Sequence, residues 1–189
     1  WVYELNENKQ IVANCHKFEK HKFQKRLLSI EEITDQWEQV VQFLKKEYPE
    51  LHIVFTLSPV RHLKDGLIEN ARSKAILLES IHQLVDRSEN CHYFPAYELV
   101  VDEMRDYGYY AKDGLHPNDI AIDGVWQKFI CSLLSEKTKQ IANEYVELRK
   151  TLSHKIQFKE SEESKKFIAA KEQKLEAFRN KYPSVIVKP

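Results

Sequence analysis

The sequence predicts an α/β domain built on a parallel sheet and followed by a helical hairpin, and three observations carry that expectation. Residues 51–57, Leu-His-Ile-Val-Phe-Thr-Leu, form a nearly continuous apolar and β-branched run, the pattern of a strand buried on both faces of a parallel sheet. Runs with helical spacing alternate with it and with a second short strand-like run, Cys91-His92-Tyr93-Phe94, which is the order that builds right-handed crossovers. Beyond Asn118 the strand signals cease, and two apolar stripes of helical period follow on a background of Glu, Lys, Gln and Ala.

Each element has its own local signal. Residues 1–5 and 10–14 are short β-like runs around the turn-forming Asn6-Glu7-Asn8-Lys9, a predicted hairpin. A basic, aromatic stretch follows, and then Ser29 and Glu32 stand at the spacing of a capping box. The helix they open has its apolar positions at Ile33, Trp37, Val40, Val41, Leu44 and Tyr48 and stops at Pro49. After the 51–57 strand comes the loop Ser58-Pro59-Val60-Arg61-His62. A second helix follows Asp65-Gly66, buried either through Ala75, Leu78, His82 and Val85 or through Leu77, Ile81 and Leu84. Pro95 closes the 91–94 strand, and residues 97–104 are expected to be helical. One stripe runs from Trp126 through Ile130, Leu133, Leu134, Ile141, Tyr145 and Leu148 to about Leu152. A second takes in Phe167, Ile168, Leu175, Phe178 and Tyr182. The expected division is therefore an α/β domain over residues 1–130 and a helical extension over 131–189.

Composition narrows the function classes. The 189 residues hold 29 Lys and Arg against 29 Asp and Glu with no dominant basic block, so neither nucleic acid nor an anionic membrane is an expected partner. No apolar run approaches the roughly 20 residues that span a bilayer. Cys15, Cys91 and Cys131 are odd in number, widely separated and without Cys-x-x-Cys spacing, which suits free thiols in a reducing, cytoplasmic compartment. The chain opens inside an aromatic, apolar segment, Trp1-Val2-Tyr3, without an initiator Met. An upstream portion is therefore expected, along with an open sheet edge near Trp1. The helical tail or a second copy of the chain would cover that edge, and a homo-oligomer is one expected outcome.

The chemistry-bearing stretch is Lys112-Asp113-Gly114-Leu115-His116-Pro117-Asn118-Asp119. It sets a carboxylate three residues before an imidazole where a loop gives way to a helix, with Asn118 or Asp119 as the cap. An imidazole ordinarily titrates near neutrality, and a carboxylate that accepts one of its ring N–H groups fixes the tautomer, which equips the pair for general-base catalysis. The bland alternative is a capping aspartate and a surface histidine in an ordinary turn. The eight histidines are scattered, with no His-x-x-x-His and no Cys/His spacing of a zinc site, so neither a metal nor another cofactor is expected. Ser58 stands near Arg61 and His62, but no Gly-x-Ser-x-Gly elbow surrounds it, and Pro59 removes the following backbone N–H that such elbows use as an oxyanion donor. Ser58, Arg61 and His62 are instead expected to line a substrate pocket. Cys15 and His16, as neighbours on a strand, point to opposite faces and are not read as a reactive pair.

Several runs together resemble the GSCFA domain: Trp1-Val2-Tyr3-Glu4, Val12-Ala13-Asn14-Cys15-His16-Lys17, Arg26-Leu27-Leu28-Ser29, Phe55-Thr56-Leu57-Ser58-Pro59-Val60-Arg61-His62, Tyr93-Phe94-Pro95-Ala96-Tyr97-Glu98, and Tyr110 through Pro117. The resemblance covers roughly residues 1–129. It implies membership of the SGNH, or GDSL-like, hydrolases, with a three-layer α/β/α sandwich in which Asp113 orients His116 and His116 activates a serine for ester hydrolysis through an acyl-enzyme. The Gly-Ser-Cys-Phe-Ala signature that carries the family's serine does not occur in these 189 residues, so the nucleophile is expected upstream and the domain is expected to be cut at its amino terminus. By position, Asn14 is the candidate oxyanion donor and substrate contact. The implied substrate is a small-molecule or carbohydrate ester. The alternative is a catalytically idle domain of the same fold that binds a ligand or a protein.

Overall fold

The computed structural model describes residues 1–12, 19–153 and 162–186, so Asn14, Cys15 and His16 lie outside the described residues. The chain divides into two compact units, Trp1–Trp126 and Gln127–Pro189. The division falls inside a helix, a few residues before the expected boundary.

In the first unit, β1 (Val2–Leu5) and β2 (Ile11–Val12) form the predicted antiparallel hairpin, with Tyr3 opposite Val12. A third strand, β3 (Phe23–Arg26), pairs antiparallel with the other edge of β1, setting Val2 opposite Arg26 and Leu5 opposite Phe23. The expectation of an open edge near Trp1 is therefore corrected: β1 is the central strand of the order β2-β1-β3, with backbone partners on both sides.

Arg26 ties this sheet to the first long helix, α1 (Ile30–Glu47). Its Nε donates to Glu4 Oε2 at 2.7 Å, and its two terminal nitrogens donate to the Glu32 carboxylate at 2.9 and 2.7 Å. Glu32 also closes the predicted capping box: its carboxylate accepts the Ser29 N–H at 2.8 Å while Ser29 Oγ accepts the Glu32 N–H at 3.1 Å. Arg26 first, and then the Ser29 N–H, hold the Glu32 carboxyl down at about 2, against an ordinary 4.5. The unfolded chain therefore takes up this proton first as pH falls. The stability that Glu32 contributes is complete above about pH 4.5 and is lost as pH drops towards 2. Arg26→Gln is expected to lower the melting temperature by several degrees near neutral pH, because Glu4 is 8% exposed and loses its guanidinium partner. That deficit should shrink in melts recorded at about pH 3, where the carboxylates are closer to neutral.

The 51–57 run supplies β4 (Ile53–Phe55), which pairs parallel with β5 (Cys91–Tyr93) across the crossover helix α2 (Leu67–Arg87). Phe55 and Tyr93 face each other in the register. Phe55 meets Trp37 of α1 edge-on at 5.4 Å, and Tyr93 meets His82 of α2 at 4.9 Å. Buried Val41 on α1, Leu84 on α2 and Cys91 on β5 belong to the apolar core of this unit, and Arg87 of α2 reaches Glu38 of α1 at 3.2 Å. Of the two faces predicted for α2, the one carrying Ile81 and Leu84 is the one that buries a residue fully, at Leu84, while Leu77 on the same face stays 37% exposed. The α/β class and a parallel pair are thus present, but the described strands form two small sheets, because residues 1–5 pair with β3 and not with β4.

Residues 96–104 are helical, as predicted, in two pieces: a short α-turn, α3 (Ala96–Glu98), runs into a π-helix over Leu99–Met104 in which Leu99 and Val100 are buried. Tyr93 Oη donates to Glu98 at 2.8 Å, and burial and then Glu98 push the Tyr93 phenol well above its usual range. A loop through residues 105–118 leads to α4 (Asp119–Leu133).

In the second unit the expected single helix up to Leu152 is broken. The apolar period runs on through Leu133 and Leu134, but Ser135 accepts the Thr138 N–H at 3.2 Å and starts a new helix, α5 (Glu136–Ser153). With α6 (Glu162–Lys181) it forms the predicted helical hairpin. Buried Leu148 and Phe178 sit at its centre among Ile141, Tyr145, Leu152, Leu175 and Tyr182, and Lys181 pairs with Glu144 at 2.8 Å. No described helix is long and apolar enough to cross a membrane.

Candidate functional site

Backbone chemistry at the 105–118 loop places the Asp113 and His116 side chains. Ala111 donates its N–H to the His116 carbonyl at 2.7 Å, Gly114 donates to the Ala111 carbonyl at 2.9 Å, and Tyr110 and Pro117 form a bridge, so residues 111–116 close on themselves. Gly114 turns the chain at φ +66°, a region L-residues rarely adopt. The Asn118 side-chain amide donates to the Gly108 carbonyl at 2.6 Å while its oxygen accepts the Ala121 N–H at 3.1 Å, so the cap of α4 also anchors the loop.

Within this closed turn the Asp113 carboxylate divides its work. Oδ1 accepts the N–H groups of Leu115 at 2.8 Å and His116 at 3.1 Å, and Oδ2 lies 2.7 Å from His116 Nδ1. The Leu115 N–H, then the His116 ring and the His116 N–H, hold the Asp113 carboxyl down at about 2, against an ordinary 3.8. An ionised carboxylate only accepts hydrogen bonds, so the proton of the neutral ring sits on Nδ1 and Nε2 carries the free lone pair. Nε2 has no hydrogen-bond partner among the described residues, and the His116 side chain is 60% exposed. The arrangement presents an oriented imidazole base to whatever approaches from solvent.

Arg61, expected in a pocket, contributes first through its backbone. Its N–H donates to the Leu115 carbonyl at 3.1 Å, which joins the 58–62 loop to the Asp113–His116 turn. Its guanidinium lies over the Tyr110 ring at 4.2 Å and the Tyr107 ring at 5.4 Å, and Nη1 reaches the Gly114 carbonyl at 3.4 Å. The 58–62 and 113–116 loops thus meet, as expected of loops that lie beyond the carboxyl ends of strands in an α/β sheet. Ser58 and His62 belong to another surface: both line a cavity of about 490 Å³, whose wall includes neither Asp113 nor His116. Ser58 Oγ accepts the Val60 N–H at 3.2 Å, and the His62 N–H donates to Asn70 Oδ1 at 2.9 Å. Ser58 makes no hydrogen bond to His116. Asn14 lies outside the described residues. No cluster of three or more His, Cys, Asp or Glu able to hold a metal occurs among the described residues.

Tyr107 and Tyr110 seat Arg61, and sequence reasoning passed over them; the aromatic run Tyr107-Gly108-Tyr109-Tyr110 beside the loop was the available signal. Lys74, buried in the cavity wall, left no signal, since a lysine in a helix reads as solvated.

Comparison with known families identifies the chain: the model of the GSCFA family matches residues 1–129, and the chain belongs to that family. No curated protein and no solved structure matches it.

Proposed function

We propose that this member of the GSCFA family supplies the acid-base half of an SGNH-like serine esterase acting on an acyl or acetyl group carried by a small molecule or carbohydrate. The observation that carries the reading is the 2.7 Å contact between Asp113 Oδ2 and His116 Nδ1, in a turn that leaves Nε2 open. The serine comes from a Gly-Ser-Cys-Phe-Ala segment that these residues do not contain, and the β4–β5 pair is part of a three-layer α/β/α sheet completed with that segment.

In this scheme the serine hydroxyl gives its proton to His116 Nε2 as its oxygen attacks the ester carbonyl. The imidazolium, steadied by the Asp113 carboxylate, then returns the proton to the departing alcohol, leaving an acyl-enzyme. Water repeats the cycle: it gives its proton to Nε2, releases the carboxylic acid and restores the serine. Asp113 stays ionised throughout, since its carboxyl is held at about 2. The test is covalent labelling by a fluorophosphonate, which a serine takes up only when its base is in place. The 189-residue chain should take up no label, and a chain that also carries the Gly-Ser-Cys-Phe-Ala segment should take up one.

A further inference from the structure

We propose that Arg61 receives a carboxylate on the alcohol part of the ester, so that the carrier of the acyl group is an acidic sugar. This inference rests on the esterase reading and narrows it to a substrate class. The Arg61 backbone N–H is bound to the Leu115 carbonyl, within the turn that holds Asp113 and His116, so Arg61 is fixed to the same piece of structure as the base. Its half-buried guanidinium lies over the Tyr110 ring at 4.2 Å and the Tyr107 ring at 5.4 Å, and its hydrogen bond is the long 3.4 Å contact from Nη1 to the Gly114 carbonyl. A guanidinium carries five N–H donors, so most of its capacity is unspent. No carboxylate among the described residues pairs with it. Asp113, the acid of the turn, is taken up by the Leu115 and His116 N–H groups and by the His116 ring. A half-buried cation with spare donors and no counter-charge, tied to the catalytic turn, is a receiver for an anionic group of the substrate.

Geometry and charge narrow the anion. The planar fork of a guanidinium matches a carboxylate with two parallel bonds, and one guanidinium balances a single negative charge better than the two of a phosphate monoester. The two tyrosines have different parts. Tyr110 is 7% exposed and seats the cation, whereas Tyr107 is 75% exposed and offers its ring to solvent beside it. Asp106 holds that platform in place, since its side chain caps the 107–109 turn by accepting the Gly108 N–H. An exposed aromatic ring next to a cation suits a sugar that bears a carboxylate: the C–H face packs on Tyr107 while the carboxylate meets Arg61.

The experiment is an NMR titration of the 189-residue chain with glucuronate, glucose and glucose 6-phosphate, read at the Arg61 Nε–H and His116 Cε1–H resonances. Glucuronate should shift both saturably and bind more tightly than the other two. Arg61→Gln keeps the backbone bond to Leu115 and, read at His116, should weaken glucuronate roughly 10- to 100-fold. Tyr107→Ala, at an exposed and therefore tolerant position, should weaken it about 2- to 10-fold with Arg61 intact. The proposal is overturned if glucuronate fails to saturate, if glucose or glucose 6-phosphate binds as tightly, or if glucuronate binding survives either substitution unchanged. The titrated chain lacks the Gly-Ser-Cys-Phe-Ala serine and turns nothing over, so this inference fails through the titration and the esterase reading fails through the fluorophosphonate label.

Discussion

His116→Ala is expected to cut ester turnover by on the order of 10⁵- to 10⁶-fold in a chain that carries the serine, close to the loss from removing the whole catalytic unit. The size follows from the geometry. Nε2 is the ring atom left open by the Asp113 contact, so once the imidazole is gone nothing in the turn can take the serine proton. The fold should survive, because the side chain is 60% exposed and the His116 backbone groups, bound to Ala111 and Asp113, still hold the loop once the ring is gone. Initial rates with a short-chain aryl ester, beside an unchanged far-ultraviolet circular dichroism spectrum, check both halves.

Asp113→Asn is expected to lower kcat by about 10⁴-fold with little change in KM. One oxygen of the asparagine can still accept the Leu115 and His116 N–H groups, so the turn keeps its shape. The NH₂ then faces Nδ1, which must become an acceptor. The ring proton moves to Nε2, and the lone pair that should receive the serine proton is lost. An Asp113→Ala change would also remove the loop's own hydrogen bonds and would mix a structural defect into the kinetic one. A fall confined to kcat therefore separates an orienting carboxylate from a merely structural cap.

The parts of the molecule legible in the sequence are those whose determinants are local. Ser29 and Glu32 formed the capping box they predict, Asn118 capped α4, and the three-residue spacing of Asp113 and His116 closed into a turn around Gly114. What escaped was set by distant partners. Phe23–Arg26 is too polar to announce a strand, and its pairing with β1 goes with the Arg26 bond to Glu4, 22 residues away. The helix break at Ser135 hid inside a stripe whose apolar period continued through it. The meeting of the two candidate loops was legible from the α/β pattern, which puts loops of this kind beyond the carboxyl ends of the strands; the backbone bond that joins them, Arg61 N–H to the Leu115 carbonyl, was not. The burial of Lys74 depends on how α2 packs, and that too is tertiary information.

The most direct test of the central claim is the position and dependence of the fluorophosphonate label, read by peptide mass spectrometry. A single adduct is predicted on the serine of the Gly-Ser-Cys-Phe-Ala segment, abolished by His116→Ala and absent from the 189-residue chain alone. An adduct on Ser58, or one on any serine that persists without the His116 imidazole, would contradict the account.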